Sequence, residues 1–176
     1  MDVLDSKKLK WLDESSVNLA YTRLYGWAKS SKRINEGIKD VRFERQSILS
    51  AIGLDGVKAP FVFAGTLNKE IFSDYLRFQL APTLKNDDIL ILDNCSVHKS
   101  KLVLETIEEL GINVVFLPPY SPDFNPIELV WAFVKDILRK LKARTYDTLI
   151  SAIDTALSSV TNDLISGWAK HCGYSL

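Results

Sequence analysis

Apolar residues recur along this chain with two different periods, and the points where one gives way to the other outline its elements. Leu9, Trp11 and Leu12 form a short apolar patch crowded by Lys7, Lys8 and Lys10, and they predict a first strand that ends at Asp13. Residues 46–52 and 59–65 read as two further strands, joined through Leu54-Asp55-Gly56-Val57, where Asp55-Gly56 is a hairpin signal. Ile71, Phe72, Tyr75, Leu76, Phe78 and Leu80 then take helical spacing, predicting a helix over 69–84 that ends near Pro82. Ile89-Leu90-Ile91-Leu92 is a continuous branched run bounded by Asp87-Asp88 and Asp93-Asn94, as in a buried strand of a partly parallel sheet. A helix over 99–110, stopped by Gly111, and a strand over 112–117 complete a parallel crossover unit. Four of the six prolines lie between Pro118 and Pro126, so this stretch is a stiff, extended connector. Asn125 can cap the helix that follows and Pro126 suits its first position, with Ile127, Val130, Trp131, Val134, Ile137, Leu138 and Leu141 along one side. Two more helices are expected over 146–157 and around 161–170. The pattern predicts an α/β fold with a mixed sheet and helices on its faces.

With 176 residues, 47% of them hydrophobic and 25% charged, the chain has the composition of one folded domain. Its apolar runs stop far short of the roughly 20 residues of a membrane helix, and Met1-Asp2-Val3-Leu4-Asp5 has no export pattern, so a cytoplasmic protein is expected. Cys95 and Cys172 with two histidines cannot build a disulfide framework or an ordinary zinc site, so any metal must sit on carboxylates. The zero net charge hides a segregation. Residues 22–46 hold seven basic and three acidic residues and 131–145 five and one, whereas 86–128 hold two basic and eight acidic. Solvated surface faces would account for this, and so would a carboxylate metal site between phosphate-binding segments.

Three carboxylates stand where such a site needs ligands. Asp93 follows the buried strand, at the end where ligand sites of α/β sheets gather, although Asp is also common in turns. Glu128 lies in the first turn after Asn125, where a capping box would also place it. Asp13 ends the first apolar patch and could equally be a cap or a turn residue.

Together, Leu12-Asp13-Glu14-Ser15 near the start, ILILDNCSVHKS over 89–100 and LPPYSPDFNPIELVW over 117–131 resemble the DDE superfamily of transposases. The likeness is to the mariner superfamily in its bacterial insertion-sequence 630 branch, and it runs from about Lys10 to Arg144. Thirty-four residues separate Asp93 from Glu128, a spacing typical of that family. The resemblance implies a ribonuclease H-like fold, a mixed five-stranded sheet with helices on both faces, with a core over about 9–144 and C-terminal helices over 145–171. It implies that Asp13, Asp93 and Glu128 hold two Mg²⁺ ions, replaceable by Mn²⁺, and carry DNA cleavage and strand transfer, with insertion favouring TA dinucleotides. Asn94 and His98 fill the family's D-N-x-x-x-H positions and are expected beside the metals or the DNA. Tyr120, Ser121, Pro122 and Asp123 match the approach to the third carboxylate.

The partners implied are transposon ends and target DNA, a homodimer on the paired ends, and a separate helix-turn-helix module that binds the ends. No such module fits in the twelve residues before Asp13, so the chain reads as the catalytic part alone. Tyr25-Gly26-Trp27 resembles the family's Gly-Trp hairpin without its Pro-containing turn, and Lys29, Lys32 and Arg33 beside it are the expected phosphate contacts. Two alternatives use the same residues: another ribonuclease H-like nuclease, and a retired transposase domain that serves as a DNA-binding module.

Overall fold

A computed structural model describes residues 5–17, Lys29 and 45–176. Within them five strands, β1 (Leu9–Val17), β2 (Gln46–Gly53), β3 (Gly56–Ala64), β4 (Ile89–Leu92) and β5 (Asn113–Phe116), form one sheet in the order β3-β2-β1-β4-β5. β1, β2 and β3 pair antiparallel, while β4 runs parallel to both β1 and β5. The helices are α1 (Lys69–Tyr75), α2 (Lys101–Glu109), α3 (Pro126–Leu141), α4 (Tyr146–Ser158) and α5 (Asn162–His171).

Alternation of side chains along the strands divides the core in two. Leu9, Trp11, Ile48, Ile52 and Ile91 face α3, α4 and α5, against Ile127, Val130, Trp131, Val134, Leu149, Ile153 and Ile165. Leu12, Leu49, Leu90 and Leu92 face the other way, against Phe72, Tyr75 and Leu76, and Val103 and Ile107 of α2. Helices thus cover both faces of a mixed five-stranded sheet, as expected.

Several local expectations need correction. The helix predicted over 69–84 is regular only to Tyr75 and then widens into a π turn over Leu76–Leu80 and tightens into a 3₁₀ turn over Ala81–Thr83. The wide turn keeps Leu76 and Leu80 buried while leaving Phe78 exposed, and the Ala81 amide reaches back to the Leu76 carbonyl. β3 starts at Gly56, so the hairpin turn consists of Leu54 and Asp55, with Gly56 at φ 119 where a side chain would be strained. Asn125 makes no side-chain cap to α3; a 3₁₀ turn over Pro122–Phe124 leads into it, and the Asn125 side chain is buried instead.

The three lysines at the start of β1 do not break the strand, because Lys10 folds inward. Its side chain is 1% exposed, with Nζ 3.0 Å from Asp88 Oδ1 and 3.7 Å from Asp55 Oδ1, and donating to the Lys7 carbonyl at 3.1 Å. Asp88 precedes β4, so this pair ties the entrances of the two central parallel strands together. Gly53 leaves room for it, since a Cβ there would come within 2.7 Å of Lys10 Cδ. Removing one partner of a buried pair leaves an uncompensated charge. Asp88→Ala is expected to lower the unfolding free energy in urea by about 3 kcal/mol, and the double change Lys10→Met with Asp88→Leu to restore most of it.

Candidate active site

The parallel register places the first two carboxylates. Leu9 lies opposite Ile89 and Trp11 opposite Ile91, so the same register carried two residues further sets Asp13 beside Asp93, where β4 has just ended. Asp13, within β1, follows the parity of Trp11 and faces the side of the sheet covered by α3, while Asp93, just past the end of β4, opens into the cleft that Glu128 also lines. Glu128, exposed in the first turn of α3, comes to the same place from the helix layer. Glu14, next along β1, is turned away and accepts a bond from Ser47 Oγ at 2.6 Å on the other face.

The three acids are held differently. Asp13 is half-buried, and desolvation first, then the negative charges of Glu128 and Asp93, push its pKa up to about 7. The indole Nε1–H of Trp131 donates to its Oδ2 at 3.1 Å. Asp93 is shifted the other way: the hydrogen bond from His98 holds it below the usual carboxylate range, against a smaller opposing effect of burial, and the Cys95 amide adds to the lowering. His98 Nδ1 stands 2.7 Å from Asp93 Oδ1 and the Cys95 amide donates to the same oxygen at 3.0 Å, so Oδ2 takes neither bond. The His98 ring is buried against Phe72, centroids 4.5 Å apart, and its Nε2 has no partner among the described residues.

Asn94 points along the strand ends, its Nδ2 donating to the Leu117 carbonyl at 3.0 Å, and so joins the exits of β4 and β5. Beyond them the proline-rich connector forms the wall of an open cleft of about 540 Å³, lined by Asp93, Asn94 and Cys95, by 117–122, and by Asn125 and Glu128. Tyr120, at φ 55 and fully exposed, stands on its rim. The connector is anchored by Tyr174, whose hydroxyl donates to the Phe124 carbonyl at 2.7 Å.

Among the described residues no group of three or more His, Cys, Asp or Glu side chains is placed so that it could hold a metal ion. The donor chemistry of Asp13, Asp93 and Glu128, all carboxylate oxygen, is the kind a hard divalent cation takes, and the half-buried Asp13 feels the negative charges of the other two. Of the expected phosphate contacts, Lys29 is exposed, and Lys32, Arg33 and the Gly-Trp segment over 25–27 lie outside the described residues. No described helix is long and apolar enough to cross a membrane. The sequence pattern missed the Trp131 contact, because Trp131 falls on the apolar stripe of α3; its spacing of three from Glu128, which puts both on one helix face, was the available signal.

A family model described as DDE superfamily endonuclease matches residues 8–150. Over 103 residues the chain is 30% identical to human histone-lysine N-methyltransferase SETMAR, covering 53% of this chain and 15% of that protein. Over 116 residues it is 24% identical to the transposable element Tcb1 transposase of Caenorhabditis briggsae, covering 61% of this chain and 42% of that one. The chain therefore spans less than half of these relatives. Among solved structures, the Mos1 transposase paired-end complex with left transposon end matches with a TM-score of 0.77 at 16% identity, over 95% of this chain and 52% of that one. The Mos1 mariner transposase catalytic domain matches with a TM-score of 0.67 at 15% identity, over 94% and 79%. At such identities the likeness is one of fold, and the fold is ribonuclease H-like.

Asp13 gives a pH dependence. An acid whose folded pKa is raised from 3.8 to about 7 contributes stability that is fully present below about pH 4 and lost as pH rises through 7. Asp13→Asn removes the charge and accepts the indole bond, so in metal-free buffer it is expected to melt above the wild type at pH 8 by several degrees. The two should converge at pH 4, as thermal unfolding monitored by circular dichroism would show.

Proposed function

The chain belongs to the DDE superfamily endonucleases, and from that premise we propose that it is the catalytic part of a DNA transposase of the mariner and Tc1 kind, cleaving DNA strands and joining them to a target. The observation that supports this reading is the clustering of charge at the β1–β4 exit, where the carboxylates of Glu128 and Asp93 both act on Asp13. The relatives supply the biology: one is a transposase by name, and the solved Mos1 structures hold transposon ends, Mg or Mn.

Asp13, Asp93 and Glu128 would hold two Mg²⁺ ions, with Mn²⁺ able to replace them. Bound there, such ions stabilise the attacking and leaving oxygens of an in-line displacement at phosphorus. The chain's own residues prepare the site. His98 and the Cys95 amide keep Asp93 ionised and fixed, Trp131 orients Asp13, and the Asn94–Leu117 bond holds the floor of the cleft open toward the connector. Glu128, exposed on the cleft wall, stands open to incoming substrate.

Lys29, Lys32 and Arg33 would contact phosphates, positioning the strand without reading its sequence. Transposon ends and a TA target would be the substrates, with a second copy of the chain on the paired ends and a helix-turn-helix module supplying end recognition. The bacterial insertion-sequence 630 branch is the proposed lineage, on the strength of the 89–100 and 117–131 motifs.

The test uses labelled duplexes with pre-exposed 3′-hydroxyl ends, with Mn²⁺ present, and scores cleavage and joining separately. Asp93→Ala and Glu128→Ala are each expected to lower both by at least about 10³-fold, the scale of losing a principal transition-state stabiliser. Cleavage that survives both changes sinks the assignment of the site. Cleavage without joining would make the chain a plain nuclease, and DNA binding indifferent to divalent ions, with neither reaction, a binding module.

A further inference from the structure

We propose that Trp131 is a positioning residue for the candidate site, its indole N–H fixing the Asp13 carboxylate and thereby the span between Asp13 and Glu128. The proposal rests on the reading of these carboxylates as metal ligands and adds a residue to it. Three observations carry it.

The first is the contact itself, Nε1 of Trp131 to Oδ2 of Asp13 at 3.1 Å, between residues 118 positions apart in the chain. The second is burial. Trp131 is 2% exposed and packs in the core under α3 with Val130, Val134 and Leu138, positions filled by plain aliphatic side chains. Any large apolar residue would fill that volume, and only tryptophan adds a donor at the edge of its ring, where a carboxylate waits. The third is position on the helix. Trp131 and Glu128 are three residues apart on α3 and therefore share a face, so the bond that docks Trp131 on β1 also determines where the first turn of α3 stands.

The physical consequence concerns rotation. The terminal torsion of an aspartate is broad and nearly two-fold, so an unheld carboxylate exchanges its oxygens freely. The Glu14 backbone amide also bonds this carboxylate, and with Oδ2 engaged by the indole its plane is set before any cation arrives. Groups that orient ligands in this way typically carry about 10- to 100-fold of metal affinity. A packing role alone would carry none of it.

The deciding measurement is Mn²⁺ binding to the intact chain, by calorimetric titration alongside thermal melting in chelator. Trp131→Phe keeps an aromatic ring and loses the donor; it is expected to weaken Mn²⁺ binding about 10-fold while the metal-free melting point moves little. Trp168→Phe, which alters a tryptophan packed on Phe133 in the same layer, is expected to bind as the wild type does. Should Trp131→Phe fail to fold, 3-benzothienyl-alanine at position 131 keeps the bicyclic shape with sulfur in place of N–H and answers the same question. A folded Trp131 variant that binds Mn²⁺ with wild-type affinity overturns the proposal. If the wild type itself binds no better than Asp93→Ala, the metal reading fails first and the proposal with it.

Discussion

The parallel pairing of β1 with β4 is the constraint on which the rest of the site depends. Because Trp11 lies opposite Ile91, Asp13 two residues further on faces α3, near enough to Asp93 beyond the end of β4 to feel its charge. A slip of one residue would turn Asp13 toward the other core, where Leu12 now packs, and bring Glu14 into its place. Two features oppose such a slip. Trp11 and Leu12 are both fully buried on opposite faces, and the Lys10–Asp88 pair links the strand entrances in the same register. A buried ion pair is a weak source of net stability, and this one joins the entrances of β1 and β4.

Two neighbouring aspartates thus acquire opposite characters from their surroundings. Asp13 sits within the sheet, where burial and like charges favour its protonated form, while Asp93 stands just beyond a strand end, where His98 and a backbone amide favour the ionised form. At neutral pH one carboxylate is therefore held ionised, while the other is poised between its two forms. Glu128 comes from a helix whose entrance is shaped by the connector, with Pro126 at its first position and the preceding turn tied to Tyr174.

Much of this was legible in the chain. The continuous run Ile89–Leu92, the Gly111 stop and the proline-rich stretch over 118–126 each report local backbone preferences, and the crossover unit and α3 follow from them. The hairpin was legible in kind and misplaced by three residues at β3, because Gly56 already belongs to the strand as its first pair with Gly53. The π turn after Tyr75 was not legible, since residues 76–80 keep an ordinary helical spacing, in which Leu76 and Leu80 already share a face.

The sequence by itself determined the kinds of element, their order, and the identity and spacing of Asp93 and Glu128, because these depend on periods and turn residues a few positions apart. What it could not determine were matters of distant encounter: that Lys10 is buried, that Asp13 lies beside Asp93, that His98 grips Asp93, and that Trp131 reaches Asp13 from 118 residues away. These were decided by strand register and by which helix face meets which strand face. Both are set by burial across the whole sheet, and burial leaves no local period in the chain to mark its polar exceptions.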